Sequence, residues 1–110
     1  MTGMESLDYA FNGTRQAQPF AAVLVGVVGS GNLEVLVEAS AATQDAPVSN
    51  FHIETSARGF GAIWEAVLRD FQQRHNFQGL RISINDMGAT PAVVSLRLDQ
   101  AVAGLTEVSP

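Results

Sequence analysis

The alternation of hydrophobic and polar positions along this 110-residue chain predicts most of its elements. Leu7, Tyr9 and Phe11 alternate with Asp8 and Ala10, the period of a short strand with one buried face, and Asn12-Gly13 closes it. The stretch Phe20–Val28 is almost wholly apolar and rich in valine, which predicts a strand covered on both sides, central in a sheet or at an interface. Gly29-Ser30-Gly31-Asn32 is a turn cluster. After it Leu33, Val35 and Val37 alternate with Glu34 and Glu38, so the two strands are expected to be antiparallel neighbours. From Ala39 to Pro47 the residues become small and polar, the composition of a weakly ordered loop.

A further strand is predicted at Val48–Thr55, with Phe51, Ile53 and Thr55 inward and Asn50, His52 and Glu54 toward solvent. Next comes a helix, because Phe60, Ile63, Trp64, Val67, Leu68 and Phe71 recur at intervals of three and four, opposite Glu65, Arg69, Gln72 and Gln73. Ser56 is its expected cap, and the helix should stop near His75 and Asn76. Leu80–Asp86 returns to strand alternation. Thr90-Pro91 then forms an N-cap and first-turn pair for a second helix marked by Val94, Leu98, Ala101 and Leu105. The run Val94, Leu96, Leu98 competes as a strand. Together these elements predict an α+β fold, a mostly antiparallel sheet of four to five strands with two helices packed on one face. One domain spans residues 1–110, with 1–19 and 39–47 expected to be flexible.

Composition narrows the function classes. Apolar residues form 46% of the chain and charged residues 15%, as in a folded globule. The net charge of −5 repels phosphate backbones and anionic lipid surfaces, which argues against nucleic acid and membrane partners. The absence of cysteine removes disulfides, thiolate nucleophiles and thiolate metal sites. The N-terminal residues lack a basic-then-apolar leader pattern, and no apolar run approaches the roughly eighteen residues of a membrane span. A cytoplasmic setting is expected.

The candidate chemistry lies at Ser30. Flanking glycines leave its hydroxyl uncrowded and let the backbone take positive φ, so a hairpin tip can present it. An ordinary hairpin turn explains the same residues. A phosphate-cradling loop is disfavoured, since Gly26, Gly29 and Gly31 lead into a strand and not into a helix N-terminus. Nucleophilic catalysis needs a base, and neither histidine, His52 on a strand or His75 at a helix end, has a sequence reason to approach Ser30. Two histidines without cysteine make a poor metal set, and Trp64 fits a core position. The segment Ile84–Pro91 joins a strand end to a helix start, with Gly88 turning and Thr90 capping. Asp86 and Gly88 are its residues of possible functional interest.

Three blocks carry a family resemblance. They are Val25-Gly26-Val27-Val28-Gly29-Ser30-Gly31-Asn32-Leu33-Glu34-Val35-Leu36, Gly59-Phe60-Gly61-Ala62-Ile63-Trp64-Glu65-Ala66-Val67-Leu68, and Ile84-Asn85-Asp86-Met87-Gly88-Ala89-Thr90-Pro91-Ala92-Val93-Val94-Ser95-Leu96-Arg97-Leu98. In this order they resemble the acyl carrier (delta) subunit of malonate decarboxylase, over about residues 20–104. A fainter similarity reaches the acyl carrier subunit of citrate lyase. Asn32 departs from the pattern, which has aspartate there. The resemblance implies a non-catalytic carrier in a biotin-independent, multi-subunit decarboxylase. It also implies 2'-(5''-phosphoribosyl)-3'-dephospho-CoA attached to Ser30 through a phosphodiester, with acetyl and malonyl carried on the thiol of that arm. The implied partners are the transferase and decarboxylase subunits and a transferase that attaches the arm. A citrate lyase carrier, or an unmodified structural or regulatory subunit, are the competing readings.

Overall fold

The computed structural model describes residues 3–40 and 47–108. Strict alternation gives strands β1 (Glu5–Asn12), β4 (Leu33–Ala39), β5 (Val48–Thr55) and β7 (Leu80–Asp86), with the shorter strands β2 (Arg15–Gln16), β3 (Val23–Gly26) and β6 (Phe77–Gln78) between them. The two helices are α1 (Gly61–His75) and α2 (Pro91–Val102). Five strands form one sheet in the order β1-β5-β7-β4-β3, and β2 pairs separately with β6.

The α+β class is as the sequence predicts, but the sheet is mixed. β5 and β7 run parallel, while β1 pairs with β5, β7 with β4, and β4 with β3, all antiparallel. The parallel pair follows from α1, which carries the chain back along the sheet so that β7 enters in the same direction as β5. The pair β2–β6 escapes sequence reading, since two residues are too few to show a period.

Both helices cover one face. Val35, Val37, Phe51, Ile53, Ile82 and Ile84 point from the sheet into a single core that also holds Trp64, Leu68 and Phe71 of α1 and Val94 and Leu98 of α2. Phe11, Phe51 and Phe71 stack edge to face at 5.8 and 5.9 Å between ring centres, which ties β1 through β5 to α1. On the other face, Glu34, Glu38, Asn50, His52, Arg81 and Ser83 form a polar surface.

Several local expectations change. Of the two places expected for Phe20–Val28, the centre of the sheet is ruled out and an interface is left: only Val23–Gly26 pairs, at the sheet edge, and Leu24, Val27 and Val28 are 58%, 60% and 53% exposed. Its valine content records β-propensity and not depth, because which strand lies outermost is decided by the order of pairing. Ser56 does not cap α1. The N-cap is Phe60, without a side-chain bond, and the Ser56 N–H donates instead to the Asp86 carbonyl. Gln72, expected to face solvent, is buried, and its amide donates to the carbonyls of Asn12 and Phe77, joining the end of β1 to β6. Phe60 and Ile63 of the predicted stripe are about half exposed. Within residues 1–19, β1 pairs along its whole length with β5, so backbone bonds fix it in place. Most of the 39–47 loop lies outside the described residues.

The second helix is settled in favour of the helical period. Val94, Leu98 and Ala101 are buried while Leu96 is half exposed, an outcome that strand alternation cannot give. Thr90 Oγ1 accepts from the Val93 N–H at 3.3 Å, and Pro91 occupies the first turn as expected.

The burial pattern sets a contrast between two aliphatic residues. Replacing fully buried Ile82 with alanine should cost about 3 kcal/mol through lost packing and cavity formation, whereas Leu24→Ala on the edge strand should stay within about 0.5 kcal/mol. Urea denaturation of the two variants measures both. Equal losses would contradict the edge position of β3.

Candidate site at the Ser30 turn

The chain leaves β3 at Gly26, where a side chain has no room. This residue takes φ 82°, and a Cβ there would lie 2.1 Å from the Leu33 carbonyl oxygen on the paired strand. Past Val27 and Val28, a turn closes when the Asn32 N–H donates to the Gly29 carbonyl at 2.9 Å, leaving Ser30 and Gly31 at its two central positions. Gly31 has φ 72°, a value that favours glycine in this place. Ser30 is exposed, and a Cβ at either flanking glycine would meet no atom within 4 Å. Both positions beside the exposed serine therefore border open space.

The turn is nevertheless held firmly. The Gly31 N–H donates to the Met87 carbonyl at 2.8 Å and the Met87 N–H to the Asn32 carbonyl at 3.0 Å, extending the β4–β7 ladder beyond the strands. Asn32 turns its side-chain oxygen onto the Leu33 N–H at 2.8 Å and also accepts from Arg97 Nε of α2 at 3.4 Å. Amide and carboxylate both offer that oxygen, so Asn32 keeps the contacts that an aspartate would make. Sequence reading gave no signal for Arg97 or Met87, since both act through tertiary contact.

Met87 is fixed in turn by its neighbour. Asp86 is 1% exposed, and its carboxylate accepts from Thr55 Oγ1 at 2.8 Å, from the Gly88 N–H at 3.2 Å and from the Ala89 N–H at 3.0 Å. A buried carboxylate is tolerated only with such partners. Gly88, at φ 88°, turns the chain toward α2. Asp86 is thus the staple of the β7–α2 corner, and its oxygens are already engaged. Beside this corner lies a groove of about 230 Å³ between the N-terminal ends of the helices, with Phe60, Ile63, Trp64, Val67, Pro91 and Val94 among its walls.

Neither histidine serves Ser30. His52 sits on the open sheet face between two carboxylates, Nδ1 at 2.7 Å from Asp8 Oδ1 and Nε2 at 2.7 Å from Glu54 Oε2. Ser6 on the same face donates to Glu54 and not to His52. With both ring nitrogens occupied by acids, this Ser, His, Asp grouping lacks the free imidazole acceptor that a nucleophilic triad requires. His75 bonds to Asp99 at the C-terminal end of α1, about 20 Å along the helix from the groove at its start. Among the described residues no group of three or more His, Asp or Glu could hold a metal, and no helix is long and apolar enough to cross a membrane.

The site is thus an exposed serine on a braced turn, with both histidines bonded to acids elsewhere. The chain belongs to the malonate decarboxylase delta subunit (MdcD) family, whose model matches residues 21–105, and is an acyl carrier subunit of that decarboxylase system. Its similarity to curated relatives runs over almost the full length. The malonate decarboxylase acyl carrier protein of Burkholderia cepacia is 67% identical over 102 residues, covering 93% of this chain and 91% of the relative. That of Stenotrophomonas maltophilia strain K279a is 56% identical over 108 residues, covering 97% and 99%. Among solved structures, a chain from the crystal structure of a Pseudomonas malonate decarboxylase hetero-tetramer in complex with malonate superimposes with a TM-score of 0.78 at 34% identity, covering 90% of this chain and 96% of that one.

Two predictions follow the geometry. Asp86→Ala strands a buried hydroxyl and two backbone donors, so it should destabilise the fold by about 2–3 kcal/mol and shorten amide exchange protection at Gly31 and Met87. Denaturant titration combined with hydrogen exchange reads both effects. The second concerns His52, whose hydrogen bonds to Asp8 and then to Glu54 raise its pKa above the ordinary 6.5. The protonated ring is favoured in the fold, so its stabilisation is complete below that ordinary value and fades as pH climbs through the raised one. An NMR titration should place the His52 midpoint above 6.5, and His52→Gln should flatten the stability change across that window. A midpoint at or below the ordinary value would refute the bridged geometry.

Proposed function

We propose that Ser30 anchors the prosthetic arm of the carrier, 2'-(5''-phosphoribosyl)-3'-dephospho-CoA, through a phosphodiester to its hydroxyl. The observation that carries this reading is the exposed side chain of Ser30 at the tip of a turn whose backbone is bonded to β7's exit at Met87. A bulky group fits there, because both flanking glycines border open space. The same position is the serine on which the sequence resembles the family.

When bound, the arm supplies the thiol on which acetyl and malonyl are carried as thioesters. The residues of this chain hold and present. The Gly29–Asn32 bond and the Met87 pairing keep the anchor from collapsing onto the fold, and Arg97, held against Asn32, places a guanidinium beside the turn where a phosphodiester carries negative charge. Between Arg15 and Glu34 the sequence has no charged residue, so no acid within that stretch opposes the phosphate.

The partners of this reading are the transferase that exchanges acetyl for malonyl, the subunits that decarboxylate the malonyl thioester, and the separate transferase that installs the arm. To reach the tethered thioester each must approach the end of the molecule that exposes Val27, Val28 and Met87, an apolar rim suited to contact with protein. Tethering keeps the thioester at an effective concentration of about the millimolar range at each partner's site. A cytoplasmic setting is consistent with such an assembly.

Intact-mass measurement on protein co-produced with the attaching transferase tests the assignment. The wild-type chain should gain the mass of the arm, with the increment mapped to the peptide bearing Ser30, and Ser30→Ala should gain nothing. An unmodified wild type, or an increment on another residue, would overturn the proposal and favour the unmodified structural subunit.

A further inference from the structure

We infer that the groove between the N-terminal ends of α1 and α2 is a seat for the arm's neutral end, the pantetheine amides with an acetyl thioester, and that it rejects the malonyl form. This deepens the reading of Ser30 as the anchor and rests on it.

The groove lies next to the anchor. Asp86 and Gly88 line it, and Met87 between them gives both its backbone N–H and its carbonyl to the Ser30 turn. An arm of nucleotide and pantetheine is far longer than that separation. The groove's volume of about 230 Å³ suits a narrow chain and is below the usual size of a pocket for a drug-sized ligand. Phe60 and Ile63, 47% and 46% exposed on its rim, present apolar surface that an occupant would remove from water.

Charge selects the occupant. The ionisable group in the lining is Asp86, and its carboxylate is already the acceptor of three hydrogen bonds. No lysine or arginine lines the groove. A malonyl carboxylate would therefore lose hydration in an apolar cleft beside another carboxylate; the cation nearest in sequence, Arg58, is exposed between Ala57 and Phe60 and is outside the lining. Acetyl adds only a methyl group and a thioester carbonyl. The seat would hold the arm in the acetyl state and release it once malonyl is loaded.

Trp64, the single tryptophan of the chain and 5% exposed, forms part of the wall and reports occupancy directly. The full chain without its arm is titrated with S-acetyl-pantetheine and with malonyl-S-pantetheine while Trp64 emission is followed. Acetyl-pantetheine should give a saturable change with a dissociation constant of about the millimolar range, which tethering would make sufficient for occupancy. The malonyl form should bind at least about tenfold more weakly. Ile63→Arg, at a half-exposed position, should abolish the response with the circular dichroism spectrum unchanged, and Phe60→Ser serves the same purpose if the arginine disturbs folding. No response to acetyl-pantetheine, equal response to both ligands, or a response that survives both folded variants would overturn the inference. Free-ligand binding needs no modification of Ser30, so these outcomes are separate from the mass measurement. A wild type loaded at Ser30 but silent at Trp64 would remove the seat and leave the anchor standing.

Discussion

The buried carboxylate of Asp86 is the constraint on which the serine end depends. It is a polar group removed from water, and a hydroxyl and two backbone amides compensate it at one point. Those donors come from the end of β5 and from the two residues that lead to α2, so one side chain fastens sheet to helix connection. Met87, lying between the staple and the turn toward α2, is thereby held in line with β7. Its two backbone bonds to Gly31 and Asn32 pass that rigidity to the Ser30 turn.

This arrangement resolves a conflict that any presented side chain faces. Exposure normally brings mobility, because a loop tip has few contacts to hold it. Here Ser30 makes no demand on the core, while the residues on either side are tied down by backbone bonds and by Asn32, which reaches both Leu33 and Arg97. Steric need for glycine is strongest at Gly26, well before the serine, where the β3 backbone passes against Leu33. Gly29 and Gly31 leave the hydroxyl free on both sides. The anchor proposed for Ser30 needs that combination of stiff base and open approach.

Much of the fold was legible because β4, β5 and β7 alternate without interruption, and because Thr90-Pro91 states a helix start in two residues. The errors share one cause: local pattern does not encode which neighbours a segment meets. Val23–Gly26 has the composition of a central strand, yet among the described residues no strand follows beyond it. Gln72 looked solvent-facing by helical period, yet the end of β1 and β6 converge on that turn of α1 and use its amide. Ser56 had the right chemistry for a cap but lies too far before Gly61, in the segment that climbs from the sheet to the helix layer. At the site, the glycine-flanked serine was visible, whereas its bracing by Met87, Asp86 and Arg97 required the fold.

Phe60 and Ile63 carry the most information among these discrepancies. They keep the three-and-four spacing of the α1 stripe, so periodicity assigns them to the core, but the core closes at Trp64 and Leu68 and leaves them at the surface. An apolar residue that obeys the helix pattern and still escapes burial marks a place where local and tertiary rules disagree, and such places tend to be functional. α1 begins without a capping side chain at this same point, and α2 begins opposite it, so two helix starts and two unburied apolar residues converge on one cleft. That convergence lies beside the corner held by Asp86, on the side of the molecule from which Ser30 is presented. Leu24, Val27, Val28 and Leu96 are more exposed still, so it is the shared cleft, and not exposure alone, on which the inferred seat for the arm rests.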